Sequence, residues 1–240
     1  MGVDWSTYAD VYDGIGRNNP AYKELVRVFE DTFRSFDLPD GAKIVDMGCG
    51  TGNFALAIAR SCPRATISAY DNNERMLEVL RYKAERAGVP IQARAADLRT
   101  RPEALESVDA ISYVHCLYVL QKPGALEALA QARAMLKPGG YLVVGDIGRE
   151  LDTTQFARTG LSHMYEQYSL FDFVRECFRM RGVQKESQRI RQHQHEGKFY
   201  LHTLEELTQE IAALGFEILQ TRGDLYLGHT DFIVARKPQG

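Results

Sequence analysis

Apolar positions recur along this chain with two alternating periods, and the alternation itself outlines a fold. Over residues 20–36, Leu25, Val26, Phe29, Phe33 and Phe36 fall at offsets of 1, 4, 8 and 11 from Leu25, the single apolar stripe of an amphipathic helix. Pro39-Asp40-Gly41 then marks a turn, and Lys43–Met47 (KIVDM) reads as a short buried strand leading into a glycine-rich loop and a helical stretch Phe54–Ser61. Ala65–Tyr70 is a second strand and Glu74–Ala87 the next helix, closed by Gly88. Val89–Arg94, Val108–Val114 and Tyr141–Gly145 are further strands, with a helix over Gly124–Leu136 stopped by Lys137-Pro138-Gly139-Gly140. Strand and helix in strict alternation at this spacing predict an α/β protein, a doubly wound, mostly parallel sheet with helices on both faces.

The alternation breaks between Gly148 and His202. Phe156, Tyr165, Tyr168, Phe171, Phe173 and Phe178 there suggest an aromatic insertion of one or two helices. Regular structure resumes at Thr203-Leu204-Glu205-Glu206, a capping box in which hydroxyl and carboxylate satisfy each other's backbone N–H groups. The helix runs to Leu214, and Phe216–Thr221 and Thr230–Ala235 follow as strands near enough in sequence to pair antiparallel. The expected organisation is an N-terminal lid and helix (1–37), a cofactor-binding core (38–147), a helical lid insertion (148–202), and a C-terminal helix and strand pair completing the core (203–240).

Composition narrows the partners. With 240 residues, 45% hydrophobic and 25% charged, the chain matches an ordinary globular domain. Its 29 basic and 32 acidic residues give a net charge of −3 and no global positive field, so no nucleic-acid partner is expected. No window approaches the ~18 apolar residues of a membrane span, so no membrane association is expected. Cys49, Cys62, Cys116 and Cys177 are far apart and form no Cys-x-x-Cys pair, which argues against a zinc site or disulfide framework and fits a reducing cytoplasm. His193 and His195 lie two apart with no third ligand at a recognisable spacing, so no metal is expected.

The chemistry concentrates in Ile44-Val45-Asp46-Met47-Gly48-Cys49-Gly50-Thr51-Gly52-Asn53. Three alternate glycines between a strand and a helix let the backbone turn sharply and approach a ligand without Cβ obstruction. A dinucleotide fingerprint would need its third glycine at position 53, where this chain has Asn, so a pyrophosphate ligand and a nicotinamide dehydrogenase are disfavoured. Asp71 closes the second strand, 23 residues beyond Gly48, where a carboxylate can accept both hydroxyls of a ribose; it can equally cap the helix that follows. Asp97 follows the third strand within Ala-Ala-Asp-Leu, able to face an adenine amino group.

These motifs, together with the Val108–Leu120 segment, the Leu136–Val144 approach to a fifth strand and the closing Gly215–Lys237 region, resemble the class I S-adenosylmethionine-dependent methyltransferases of small-molecule type over about Lys43 to Pro238. The resemblance implies a Rossmann-like seven-stranded sheet with its last strand antiparallel. It places Gly48, Cys49, Gly50 and Gly52 under the methionine portion of S-adenosylmethionine, with Asp46 supporting that loop. It also places Asp71 and neighbouring Asn72 at the ribose, and Asp97 with Leu98 at the adenine. Cys49 is a small loop residue rather than a nucleophile.

Ligands of doubly wound sheets bind outside the carboxyl ends of the strands, so an acceptor belongs above the central strands, under the N-terminal segment and the insertion. The segment Trp5–Asn19 resembles the aromatic lid of many small-molecule methyltransferases, making Tyr12 a candidate cofactor contact and Tyr8 and Arg17 candidate acceptor contacts; the tyrosines can equally staple the segment to the body. From the insertion, His163 and Tyr165 are further acceptor-side candidates. His115 ends the fourth strand and is the candidate catalytic base, with a packed core histidine as the alternative. The expected function is methyl transfer to an O, N or C nucleophile of a small, partly apolar metabolite. The alternatives are a non-methylating enzyme on the same scaffold, catalysing decarboxylation, cyclisation or rearrangement, and a cofactor-binding module without turnover.

Overall fold

The computed structural model describes residues 5–6, 9, 13–14, 18–179 and 181–239. Tyr8, Tyr12 and Arg17 lie outside the described residues. Helix α1 (Pro20–Ser35) starts where Asn19 accepts from the backbone N–H groups of Ala21 and Tyr22, with Pro20 preorganised in the first turn. It buries Leu25, Phe29 and Phe33. Then come β1 (Lys43–Met47), α2 (Asn53–Ser61), β2 (Thr66–Asp71), α3 (Glu74–Ala87), β3 (Ile91–Ala95), β4 (Val108–Val114), α4 (Lys122–Met135) and β5 (Leu136–Ile147). The insertion holds α5 (Thr153–Gln167), α6 (Leu170–Arg179) and α7 (Arg181–His195); the chain closes with α8 (Leu204–Ala213), β6 (Glu217–Asp224) and β7 (Thr230–Arg236).

The seven strands form one sheet in the order β3-β2-β1-β4-β5-β7-β6. β1 to β5 are parallel neighbours, while β7 runs antiparallel to both β5 and β6. Every residue of β4 is buried, as expected for a central strand covered on both faces. One core layer joins α1, α2 and the insertion to the sheet, and a second packs α4 and α8 on its other face.

Two expectations are corrected. The insertion contains three helices rather than one or two, because the polar run beyond Phe178 continues as α7, which turns Ile190 inward. The Lys137–Gly140 segment, expected to stop the helix ahead of a strand starting at Tyr141, is itself part of β5. Its pairing with β4 jumps from Val108↔Leu136 to Ala110↔Tyr141, and the extra residues are absorbed where Gly139 adopts φ 79° and its N–H donates to the Lys237 carbonyl.

Candidate functional site

At the carboxyl ends of β1, β2 and β4, on either side of the point where the strand order reverses, a cavity of about 170 Å³ opens between sheet and cover. Its floor is the glycine loop. Gly48 has φ 67°, and a Cβ there would stand 2.5 Å from the Cβ of Cys116. Gly50 has φ 51° but meets nothing nearer than the Met76 sulfur at 3.9 Å, so its surface stays open. Gly52, the first residue of the α2 terminus, is pressed against Leu80 and does not line the cavity.

Three acids stand at this end. Asp71 Oδ2 accepts from the Gly50 N–H at 2.9 Å and Oδ1 from the Asn73 N–H at 2.9 Å, so the carboxylate ties the glycine loop to the start of α3. Burial raises its pKa against the pull of those bonds. Asp46 is buried; its Oδ1 accepts from the Ser112 hydroxyl at 2.7 Å while Oδ2 has no hydrogen-bond partner. Burial pushes its pKa up to about 7, with the Ser112 hydroxyl opposing and the Asp71 charge adding. Asp97 lines the cavity, and both of its oxygens accept from the Arg99 guanidinium at 2.9 Å, bonds that draw its pKa down to about 2. Asn72, Cys49 and Leu98 also line the cavity.

The opposite end is apolar and aromatic. Trp5, Tyr22, Tyr118, Ile147, Leu151, Ile190 and Tyr226 line the cavity together with His115, and the Tyr226 ring lies 4.8 Å from the His115 ring. His115 adopts φ 52°, strained for a residue with a side chain, and its Nε2 lies 2.8 Å from the Thr230 hydroxyl. Burial pulls its pKa down to about 3, so it is neutral at physiological pH. No Lys or Arg lines the cavity among the described residues.

His163 and Tyr165 are not brought to this cavity. Helix α5 turns Met164 inward and leaves its neighbours on the flanks; His163 meets the Lys23 ammonium at 3.0 Å in an outer groove, and Tyr165 is 78% exposed. His193 and His195 lie on helix α7, one buried against Phe199 and the other exposed. Trp5, Tyr22 and Tyr226 escaped the sequence, since only the closed fold assembles them.

Behind the aromatic end, on the opposite face of the sheet, Asp146 and Asp231 sit directly across from each other on β5 and β7. Buried His202 lies between them, 3.5 Å from Asp146 and 3.3 Å from Asp231, and Arg149 donates to Asp231 at 2.7 Å. Burial lowers the His202 pKa, but the two carboxylates outweigh it and lift the value to about 9. Two cations and two acids thus fasten both ends of the insertion to the sheet.

A parallel sheet reversing at β1 and β4, with acids beside an open glycine loop, defines a nucleoside-binding α/β enzyme fold. Residues 44–140 match the model of a methyltransferase domain family. A ubiquinone biosynthesis O-methyltransferase of Methylocella silvestris is 27% identical over 175 residues, 68% of this chain and 66% of that protein. A malonyl-[acyl-carrier protein] O-methyltransferase of Halalkalibacterium halodurans is 32% identical over 150 residues, 60% of this chain and 53% of that protein. A SAM-dependent methyltransferase structure from Aquifex aeolicus superposes with a TM-score of 0.62 at 16% identity, covering 95% of this chain and 98% of that one. The chain spans about half to two thirds of the length of these two curated relatives. The chain is thus similar to the class I S-adenosylmethionine-dependent methyltransferases, and the match to the methyltransferase domain family falls on residues 44–140. The site fits that cofactor: the orphaned Asp46 Oδ2 is a buried acceptor awaiting a cationic donor, and Gly50 leaves room above the loop.

Proposed function

We propose that this protein transfers a methyl group from S-adenosylmethionine to a neutral hydroxyl of a small, partly apolar molecule. The observation that carries this is the distribution of charge in the cavity: among the described residues its charged groups are Asp46, Asp71 and Asp97, which follow or end β1, β2 and β3, and beyond them the lining offers neither a further carboxylate for an ammonium acceptor nor a cation for a carboxylate acceptor. The named activities of the curated relatives agree with oxygen as the nucleophile.

The bound cofactor would supply an electrophilic methyl group on a sulfonium. Asp71, with Asn72, would receive the ribose hydroxyls, Asp46 the ammonium of the methionine portion, and Asp97 with Leu98 would border the adenine, while Gly48 and Gly50 admit the chain between them. Around the reaction centre the aromatic walls exclude water and hold the acceptor in line. His115 stays neutral beside a cationic cofactor and so adds no repulsion. Its Nδ1, the ring nitrogen not bonded to Thr230, would take up the acceptor's hydroxyl proton. A weak base suffices, because a methylated oxygen still carrying its proton is far more acidic than imidazolium.

In this reading residues 38–147 and 203–240 form the cofactor body, and 1–37 and 148–202 its cover. Asn18 supports one joint cover: it accepts from the Tyr168 hydroxyl at 2.7 Å and donates to Glu176 at 3.0 Å, linking the N-terminal segment to α6. Among the described residues no helix is long and apolar enough to cross a membrane, and all four cysteines are free, which supports a cytoplasmic location. The test is release of S-adenosylhomocysteine with panels of small hydroxyl, amine and carboxylate acceptors. Release confined to hydroxyl compounds is expected; release with carboxylates alone overturns the assignment, and product without release favours the non-methylating alternative.

A further inference from the structure

We propose that Tyr226 is the acceptor-reading residue of this site and that it selects a planar, unsaturated ring bearing the hydroxyl. This rests on the proposed methyl transfer and extends it to a substrate class.

The β6–β7 connection is built in an unusual way. Tyr226 (φ 52°, ψ 51°) and Leu227 (φ 59°, ψ 32°) are both left-handed and are followed by Gly228 at φ 78°. A simple tight connection would put glycine at such positions, yet here two residues with side chains bear the strain. The surroundings hold it in place: Arg149 donates to the Gly228 carbonyl at 2.9 Å and to Asp231 at 2.7 Å, and Leu225 bridges to Thr230. The outcome is a tyrosine ring aimed back over the strand ends. Tyr226 lies 4.8 Å from the His115 ring, 4.4 Å from Phe156 on α5, and 6.1 Å from Tyr22 on α1 in an edge-to-face arrangement.

His115, Tyr226 and Leu227 are three of the four non-glycine residues with positive φ among those described, so the backbone strain of the molecule gathers where the acceptor must sit. Such concentration at a cavity wall is the mark of a preorganised site. Tyr226 lines the cavity beside His115, and Trp5, Tyr22, Phe54 and Tyr118 are further rings of the wall among the described residues. A flat ring can lie against these faces in offset or edge contact, whereas a puckered saturated ring of the same skeleton cannot.

The experiment is calorimetry on protein saturated with S-adenosylhomocysteine, using 2-naphthol and its saturated counterpart trans-2-decalol as probes. Wild type is expected to bind 2-naphthol more tightly than the decalol. Tyr226→Leu, which keeps apolar volume and removes the π face, should weaken 2-naphthol roughly 3- to 10-fold and leave the decalol unchanged; Tyr226→Phe should behave as wild type. S-adenosylhomocysteine affinity should stay within twofold in both variants, which also shows that they are folded. Equal affinity for the two alcohols in wild type, binding of neither, or an unchanged preference in Tyr226→Leu overturns the proposal. A parallel loss of S-adenosylhomocysteine affinity also overturns it, by placing the ring at the cofactor. Failure of wild type to bind S-adenosylhomocysteine at all would instead refute the cofactor site on which it rests.

Discussion

Replacing Asp46 by Asn should stabilise the unliganded protein and at the same time cripple cofactor binding. The carboxyl has a folded pKa of about 7 against the ordinary 3.8 of an aspartate in the unfolded chain, so between those values the folded state holds a proton that the unfolded state has released. Stability therefore falls as pH rises through that window. The accumulated penalty is about 3 kcal/mol at pH 6 and about 4 kcal/mol at pH 8. Asparagine carries no such penalty but brings amide hydrogens into a buried place, at a cost of about 1–3 kcal/mol. The net gain at pH 8 is roughly 1–3 kcal/mol, a rise of a few degrees in melting temperature for a chain of this size. Binding moves the other way: losing a charged acceptor for an ammonium costs about 1.5–3 kcal/mol, or roughly 10- to 100-fold in S-adenosylhomocysteine affinity. Scanning calorimetry without ligand at pH 6 and 8 and titration calorimetry with ligand measure both. A lower melting temperature at pH 8, or an unchanged dissociation constant, would refute the reasoning.

Three further outcomes are expected. Asp71→Ala should weaken S-adenosylhomocysteine by about 10- to 100-fold, through the ribose and through release of the Gly50 N–H; unchanged binding by calorimetry would leave the acid as a brace only. Thr230→Val should lower kcat about tenfold with cofactor affinity unchanged and Thr230→Ser restoring it, because the hydroxyl orients His115. Since His115 is already neutral, the rate profile should lack an acid limb near its ordinary pKa; such a limb, lost in His115→Gln, would contradict that. His202 contributes stability that is complete below pH ~6.5 and lost as pH rises through about 9, a span of about 3 kcal/mol, so His202→Gln should lower the melting temperature most at low pH and flatten its decline.

What the sequence disclosed follows physical lines. The glycine loop was legible because positive φ at 48, 50 and 52 leaves no alternative residue type without strain, and the acids at strand ends stand out against apolar runs. Asp97 was legible as a position but not as an orientation, since Arg99, two residues on, captures both oxygens. The expectation for His163 and Tyr165 failed because a helix shows one narrow face inward, and that face carries Met164. Tyr226 left almost no trace: only Gly228 hints at its left-handed run, and its partners lie on α1, β4 and α5. His202 was equally hidden, because the two acids that determine its charge become neighbours only when β5 and β7 pair.

The placement of β7 bears on how the molecule comes to be made. Among the described residues β6 pairs with β7 alone, and β7 also closes the free edge of β5, so neither edge is satisfied until β7 has been synthesised. The nucleoside-binding half, from β1 to β4, can gather its parallel strands while the ribosome is still at work. The proposed acceptor wall has to wait for Tyr226 and Thr230, which arrive with that strand or just ahead of it. A nascent chain halted before β7 would expose the unpaired edge of β5, the kind of edge on which chains associate wrongly.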